Sequence, residues 1–315
     1  MRGQQISGIL NIDKPAGMTS HDVVARVRQI SGQRRVGHAG TLDPAATGVL
    51  VVCLGQATRV VEYLMASDKV YRARIRLGIS TDTHDAEGEV TATAEVDVRK
   101  DELRNALASF IGSIQQVPPM YSALKRKGVP LYKLARQGIT VEREPRSVEI
   151  HNIELLDWMP PLLTIRVKCS PGTYIRALAR DLGQELGCGA HLQSLTRLAS
   201  GHFTLGEAVS LEALAQGNWR EFIHPLDEAL LDFEPLVVDA QAEKRIRQGQ
   251  QVQVPPLPPP IAGGEWRHEL RRAYSQEGEL IAILRYDPQT GLWQPKKVFK
   301  LEAQNPKLKE RPPCR

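Results

Sequence analysis

Residues 69–78, KVYRARIRLG, alternate strictly between two kinds of side chain. Tyr71, Ala73, Ile75 and Leu77 fall on one side, and Arg72, Arg74 and Arg76 on the other. A period of two marks a strand, because successive side chains leave opposite faces. The segment is therefore read as a half-exposed strand with an arginine-lined outer face. Other segments follow a different period. Thr19 and Asp22 have the spacing of a capping box. Val23, Val24, Val27 and Ile30 then recur at helical spacing until Gly32 ends the run. Residues 49–54, VLVVCL, form a continuous apolar run of strand length. A helix is expected over 58–65, and another carrying Leu103, Leu107, Phe110 and Ile111 with Asp101 as its cap. Strand patterns recur near 147–155 and 162–169, and a helix follows the turn at 170–173. This mixture argues for an α+β chain.

The 315 residues suggest about two domains. From about residue 232 the texture changes to short strands, turns and a proline cluster at 254–260. The expected division is 1–232 and 233–315. Lys and Arg exceed Asp and Glu by 41 − 36 = +5, too little by itself to establish a nucleic-acid partner. Its distribution says more. Residues 296–315 hold seven basic and two acidic residues, which accounts for the whole excess. A second local excess of +5 lies at 121–146, where Lys125, Arg126, Lys127, Lys133, Arg136, Arg143 and Arg146 face Glu142 and Glu144. No apolar run approaches membrane-spanning length, and no apolar secretory segment opens the chain. The four cysteines form no C-x-x-C pair, which suits a reducing cytoplasm.

Most templates for chemistry are absent. There is no GxxxxGK[ST], no GxGxxG after a strand and no H-E-x-x-H. Residues 82–87, DTHDAE, imitate the start of an EF-hand but lack the oxygen ligand at position 5 and the glycine at 6. The eight histidines do not cluster at metal spacing, so no metal site is expected. What remains is the loop 37–48, GHAGTLDPAATG. Its glycines permit close backbone approach. It presents one carboxylate, Asp43, before a proline that biases it toward extended geometry. Asp-Pro is also an ordinary turn, but a carboxylate can serve as a nucleophile.

The stretch GHAGTLDPAATGVLVVCLGQATR resembles the catalytic motif of the tRNA pseudouridine synthase B family. The likeness extends to GILNIDKP at 8–15 with Thr19-Ser20, to Asp68-Lys69-Val70-Tyr71, and to TDTHD at 81–85. It continues through PPMYSALK at 118–125, GTYIR at 172–176 and Leu195-Thr196-Arg197, in the family's order. The resemblance implies a pseudouridine synthase fold: a mixed, largely antiparallel central sheet flanked by helices, with a small PUA-like β-barrel at the C-terminus. It implies isomerisation of uridine 55 in the tRNA T-loop without a cofactor.

By the same resemblance Asp43 is the nucleophile, acting on the ribose or the uracil, and Arg176 is its partner. Tyr71 is the active-site tyrosine and Tyr174 a second polar aromatic. Leu195, in a helix-like segment, packs on the target ring. His38 occupies the gap left by the flipped base. Lys14 shapes the nearby loop. The basic insertion at about 121–146, including Lys125, contacts T-arm phosphates, and the C-terminal basic stretch is placed near the acceptor stem. The partner is tRNA, with no protein partner and a monomer expected. Three alternatives stand beside this reading. One is a guide-RNA-dependent synthase and another a non-catalytic RNA-binding protein. The third is a glycosidase, which needs a second carboxylate; Asp82 and Asp85 are its formal candidates.

Overall fold

The computed structural model describes residues 5–254 and 270–300, leaving aside 123, 127, 136, 140 and the side chain of Lys125. Residues 255–260 of the proline cluster and the tail from 301 lie outside the described residues.

An eleven-stranded mixed sheet organises the chain. Its main path runs Val209–Ser210, Gly8–Lys14, Thr47–Leu54, Ala190–Ser200, Lys69–Leu77, Leu162–Cys169, Arg146–Met159, Gly112–Gln116. Neighbours on this path are antiparallel at all but two junctions. Gly8–Lys14 runs parallel to Val209–Ser210, and Thr47–Leu54 runs parallel to Ala190–Ser200. The second of these joins the two halves of the sheet through Thr47 and Gly48 alone. Gly48 has φ +96°, and a Cβ there would lie 2.3 Å from the Arg197 carbonyl oxygen, so the junction needs glycine.

The apolar run at 49–54 is buried because both of its faces are covered. Leu50, Val52 and Leu54 pack with Val23, Val24 and Val27 of the helix Ser20–Ser31. Val49, Val51 and Cys53 pack with Val60, Leu64 and Phe203, and with Ile283 and Phe299 from the C-terminal region. That helix begins as the sequence spacing requires. Thr19 accepts from the Asp22 N–H, Asp22 accepts from the Thr19 N–H, and Gly32 closes the end at φ 68°.

In the other half, Ala73, Ile75, Ile165 and Val167 pack with Ile175, Leu178 and Leu182 of the helix Ile175–Glu185. Each fully buried aliphatic side chain contributes about 1.5–3 kcal/mol. The helix Lys100–Ser109 lies on the same core but is not capped by Asp101. Asp101 sits inside its first turn, and Glu102 instead accepts from the Arg99 N–H at 3.0 Å. Residues 58–65 are also less uniform than expected. A 3₁₀ turn, Gly55–Arg59, precedes a short α-helix, Val61–Ala66.

Beyond Phe233 a four-stranded sheet forms from Pro235–Val237, Leu270–Tyr274, Leu280–Asp287 and Leu292–Val298, with the helix Ala240–Arg247 against it. It is tied to the rest of the chain by polar contacts as well as by Ile283 and Phe299. Tyr274 donates to Asp227 at 2.8 Å, Arg59 donates to the Val298 carbonyl at 2.5 Å, and Lys297 meets Glu62 at 2.5 Å. No helix among the described residues is long and apolar enough to cross a membrane.

Candidate active site

The loop carrying Asp43 connects the strands Val36–His38 and Thr47–Leu54. It is held along its length by side chains from elsewhere. Ser20 Oγ accepts from the Leu42 N–H at 2.9 Å. The Pro44 carbonyl accepts from Gly17 N at 2.9 Å and from Lys14 Nζ at 3.0 Å. Lys14, fully buried, also donates to the carbonyls of Pro15 at 2.8 Å and Met18 at 2.7 Å. Three carbonyls use all three ammonium protons. Lys14 therefore fastens the end of the first strand, the following turn and the Asp43 loop at one point.

The third fastening is Arg197, which is 1% exposed. Its Nε donates to the Val49 carbonyl at 2.6 Å, Nη2 to Gly40 at 3.1 Å and Nη1 to Thr41 at 3.4 Å. Strand register sets Arg197 opposite Tyr71, and the two side chains interact. Tyr71 is half-buried on the helix-covered face of its strand. Burial raises its pKa, and Arg197 opposes that shift.

Asp43 and Arg176 form an ion pair. Arg176 Nε lies 3.0 Å from Asp43 Oδ2, and its Nη1 lies 3.4 Å from Asp85 Oδ2. Nη2 donates to the Tyr121 carbonyl at 2.6 Å, and Nη1 reaches that of Thr83 at 3.4 Å. The Arg176 side chain is 6% exposed, whereas that of Asp43 keeps 44% of its surface. The arginine is thus locked in the wall while the carboxylate faces an open cleft. Burial by the cleft walls raises the Asp43 pKa, Arg176 pulls it down, Asp85 adds to the rise, and Lys14 opposes it. A carboxylate stripped of part of its water but held by one charge-assisted bond is both oriented and reactive. Asp85 arrives through a tight turn in which His84 takes φ 63°, a left-handed geometry uncommon for a non-glycine residue.

The remaining expected residues lie on several elements. Tyr174 precedes the helix that carries Arg176. Its backbone is gripped on both sides by Gln116, which accepts from the Tyr174 N–H at 2.7 Å and donates to its carbonyl at 3.0 Å. The Tyr174 hydroxyl is raised in pKa by burial, and Ser122 opposes that rise through a hydrogen bond. His38 ends the strand Val36–His38 and stacks edge-on against His21, with centroids 5.3 Å apart. Burial and the nearby His21 lower its pKa, which favours the neutral ring. Leu195 lies on a strand and not on a helix-like segment, because Ala190–Ser200 pairs along the length of Lys69–Leu77. It sits opposite Ala73, half-buried against the core. Lys125 lies in the two-residue strand Lys125–Arg126, and its side chain is outside what is described. Arg126, Lys133 and Arg146 of the same basic segment are exposed.

Two residues of the site had no role in the sequence reading. Asp85 belongs to the matched TDTHD stretch and is a formal glycosidase candidate without a task in the expected reaction, yet it shares Arg176 with Asp43. Arg197 was part of a matched motif without a task. The only local signal for it is a cation on the side of the strand that should be apolar. Among the described residues no group of three or more His, Cys, Asp or Glu side chains could hold a metal ion. Two carboxylates converge here on a guanidinium.

The buried lysines predict a pH dependence of stability. Burial depresses the pKa of Lys14 from its ordinary 10.5 to about 8, and that of Lys69 likewise to about 8. Above pH 8 the folded protein releases these protons while the unfolded chain keeps them, so stability rises with pH. Buried Cys53 and Cys169, pushed up from 9.0 to about 12 and about 11, offset that rise above pH 9, where the unfolded chain gives up two thiol protons that the folded protein keeps. Urea unfolding is expected to give a larger free energy at about pH 8.8 than at about pH 7.5, with a smaller difference in Lys69→Met. A flat or falling profile in the wild type would contradict the assignment.

Comparison with known proteins gives a consistent picture. Residues 28–175 match the TruB family pseudouridylate synthase (N-terminal domain), and residues 176–238 match the tRNA pseudouridylate synthase B C-terminal domain. The chain is 47% identical over 304 residues to a tRNA pseudouridine synthase B of Dechloromonas aromatica, covering 95% of this chain and 97% of that protein. It is 50% identical over 261 residues to the protein of the same name from Syntrophotalea carbinolica, covering 82% and 84%. Among solved structures, a Cbf5-Nop10-Gar1 complex superposes with a TM-score of 0.72 at 29% identity, covering 94% of this chain and 85% of that one.

Proposed function

The chain belongs to the TruB family of pseudouridylate synthases, and we propose that it converts uridine 55 of the tRNA T-loop to pseudouridine with Asp43 as nucleophile. The observation that carries this reading is the 3.0 Å pair between a half-open Asp43 and a buried Arg176 on a loop fastened at three places. The reaction breaks the N1–C1′ glycosidic bond, turns the uracil, forms a C5–C1′ bond and releases the C5 proton, while N1 keeps the electron pair of the broken bond and takes up a proton. Electrons are neither gained nor lost. The residues need to supply a nucleophile, an oriented base and a route for one proton.

In this reading Asp43 attacks the ribose or the uracil ring, and Arg176 holds it ionised and aimed. Tyr71 stacks on the flipped base with its hydroxyl near the proton that leaves. Leu195 packs on the same ring and Tyr174 supplies a second polar aromatic contact. His38 enters the gap that the base vacates; a neutral imidazole suits that role because it need not carry charge into a base stack. Lys14 keeps the loop in place, and Lys125 with its basic neighbours in about 121–146 meets T-arm phosphates. Residues 1–232 act as the catalytic domain. The sheet beyond residue 233, with a PUA-like role, takes the acceptor stem. The enzyme works in the cytoplasm as a monomer without a protein partner or cofactor.

The test is tritium release from T-arm RNA labelled at C5 of uridine, followed by mapping of the modified position. The purified protein alone is expected to release one tritium per RNA, from position 55. No release without an added guide RNA or protein would overturn the stand-alone reading. Asp85→Asn bears on the same site. It removes one of the two carboxylates paired with Arg176, at 3.4 Å, so kcat is expected to fall about 10-fold with tRNA binding nearly unchanged. A wild-type kcat would detach Asp85 from the reaction.

A further inference from the structure

The strand Lys69–Leu77 divides its side chains between two surfaces. Tyr71, Ala73, Ile75 and Leu77 turn toward the helix Ile175–Glu185 and the cleft. Arg72, Arg74 and Arg76 turn to the opposite face of the sheet and are exposed. Over the first half of the sheet that opposite face is covered by the helix Val61–Ala66 and by Ile283 and Phe299. Among the described residues nothing covers it over Lys69–Leu77 and Leu162–Cys169, and exposed Arg166 and Lys168 stand on the neighbouring strand.

The register makes this face electrostatically unfavourable by itself. Arg166 stands directly opposite Arg72, and like charges paired across strands are destabilising. Arg74 and Arg76 follow Arg72 at intervals of about 7 Å on the same strand. The acids near the cluster are engaged or distant. Glu154 lies 3.3 Å from Arg166, and Asp68 lies 3.1 Å from His151 and 3.9 Å from Lys168. Asp157 faces Thr164, across from Arg74 by two strands. Among the described residues, Arg72, Arg74 and Arg76 have no carboxylate within 4 Å. On the other flank they face Thr196, Ser194 and His191, none of which carries a carboxylate. A strand exposed only to water gains nothing from this pattern. A polyanion would relieve the repulsion and use the planar guanidinium donors.

We propose that this arginine face of the sheet is a second RNA-binding surface, which takes the phosphate backbone of an RNA chain other than the one in the Asp43 cleft. The cleft and the arginines lie on opposite sides of one sheet with a helix layer on the cleft side, so RNA seated in the cleft leaves this face uncovered. An acidic protein partner fits less well. Stable protein interfaces are anchored by buried aromatic or aliphatic side chains, and the arginine rows contain none. Phosphate binding needs only the rows. It is expected to be insensitive to base sequence and steep in salt.

The experiment first saturates the cleft with a T-arm stem-loop, then adds a labelled 15-nucleotide oligouridylate and follows its fluorescence anisotropy. Binding to the saturated enzyme is expected. Substituting all three arginines, R72Q/R74Q/R76Q, should weaken it at least tenfold. The slope of log K against log salt should fall by about two, since each lost single-strand phosphate contact is worth about 0.7. Turnover of the T-arm substrate should stay within twofold, which also shows that the variant is folded. R166Q/K168Q provides an independent pair on the adjacent strand and should weaken binding in the same direction. Competition between the oligouridylate and the stem-loop for one site, or wild-type binding by both variants, would overturn the proposal. Tighter binding of polyglutamate than of oligouridylate at equal charge would assign the face to a protein and overturn it as well.

Discussion

Asp43→Asn is expected to abolish tritium release, by about 10⁴-fold or more, while leaving the affinity for tRNA within about threefold. The substitution keeps the shape of the side chain and a hydrogen-bond acceptor for Arg176 Nε, so the loop keeps its fastenings to Ser20, Gly17, Lys14 and Arg197. What it removes is the negative charge and the nucleophilic oxygen. RNA affinity comes mainly from phosphate contacts distributed over the surface, and one exposed carboxylate contributes little to it. Folding stability should be unchanged or slightly higher, because burial disfavours the ionised form of Asp43 in the native state. Activity and binding therefore separate in this variant. Measurable turnover above about 1% of wild type would remove Asp43 from the nucleophile's role.

Arg197→Met is expected to lose both stability and turnover. Its guanidinium is buried and supplies donors to Val49, Gly40 and Thr41, and among the described residues it makes no ion pair. The methionine fills much of the volume but leaves those carbonyls without these donors in a buried setting. An unmet buried acceptor costs about 1–3 kcal/mol, so a total loss of about 3–5 kcal/mol is expected. For a chain of this size that lowers Tm by roughly 5–8 °C. Well below Tm, kcat should still fall more than tRNA affinity, because the loop presenting Asp43 is released while the phosphate contacts stay. Arg197→Lys should rescue only part of the effect, since one ammonium cannot reproduce the planar fork. The loss of a nearby cation should also raise the Tyr71 hydroxyl pKa further, visible in an ultraviolet titration. A variant with wild-type Tm and kcat would show that the loop holds its shape without this arginine.

Elements specified by neighbouring residues were legible in the chain. The capping pair Thr19 and Asp22 with Gly32 delimits a helix through contacts within its own turns. The alternation at 69–78 needs only the pleat of a strand. Asp43 and Arg176 were reached through their motifs, and the Gly-rich loop advertised itself. Asp101 misled, because Glu102 reaches back one residue further and satisfies the same end of the helix. Leu195 misled because its segment has a mixed pattern, and its strand becomes one only by pairing with Lys69–Leu77.

By itself the sequence determined most of the local elements, the two faces of the strand at 69–77, and the Gly-rich loop that presents Asp43. Those follow from backbone geometry and side-chain period, which act over a few residues. Tertiary structure decided what met what. Asp85 and Arg176 share a charge across 91 residues (176 − 85), and Arg197 donates to a loop 157 positions away. Pairing at that range depends on which strands neighbour one another, and no local pattern encodes it. The three arginines at 72, 74 and 76 share a face because of the pleat. That this face lies opposite the catalytic cleft was settled by the helix Ile175–Glu185, which buried its apolar side on the other one.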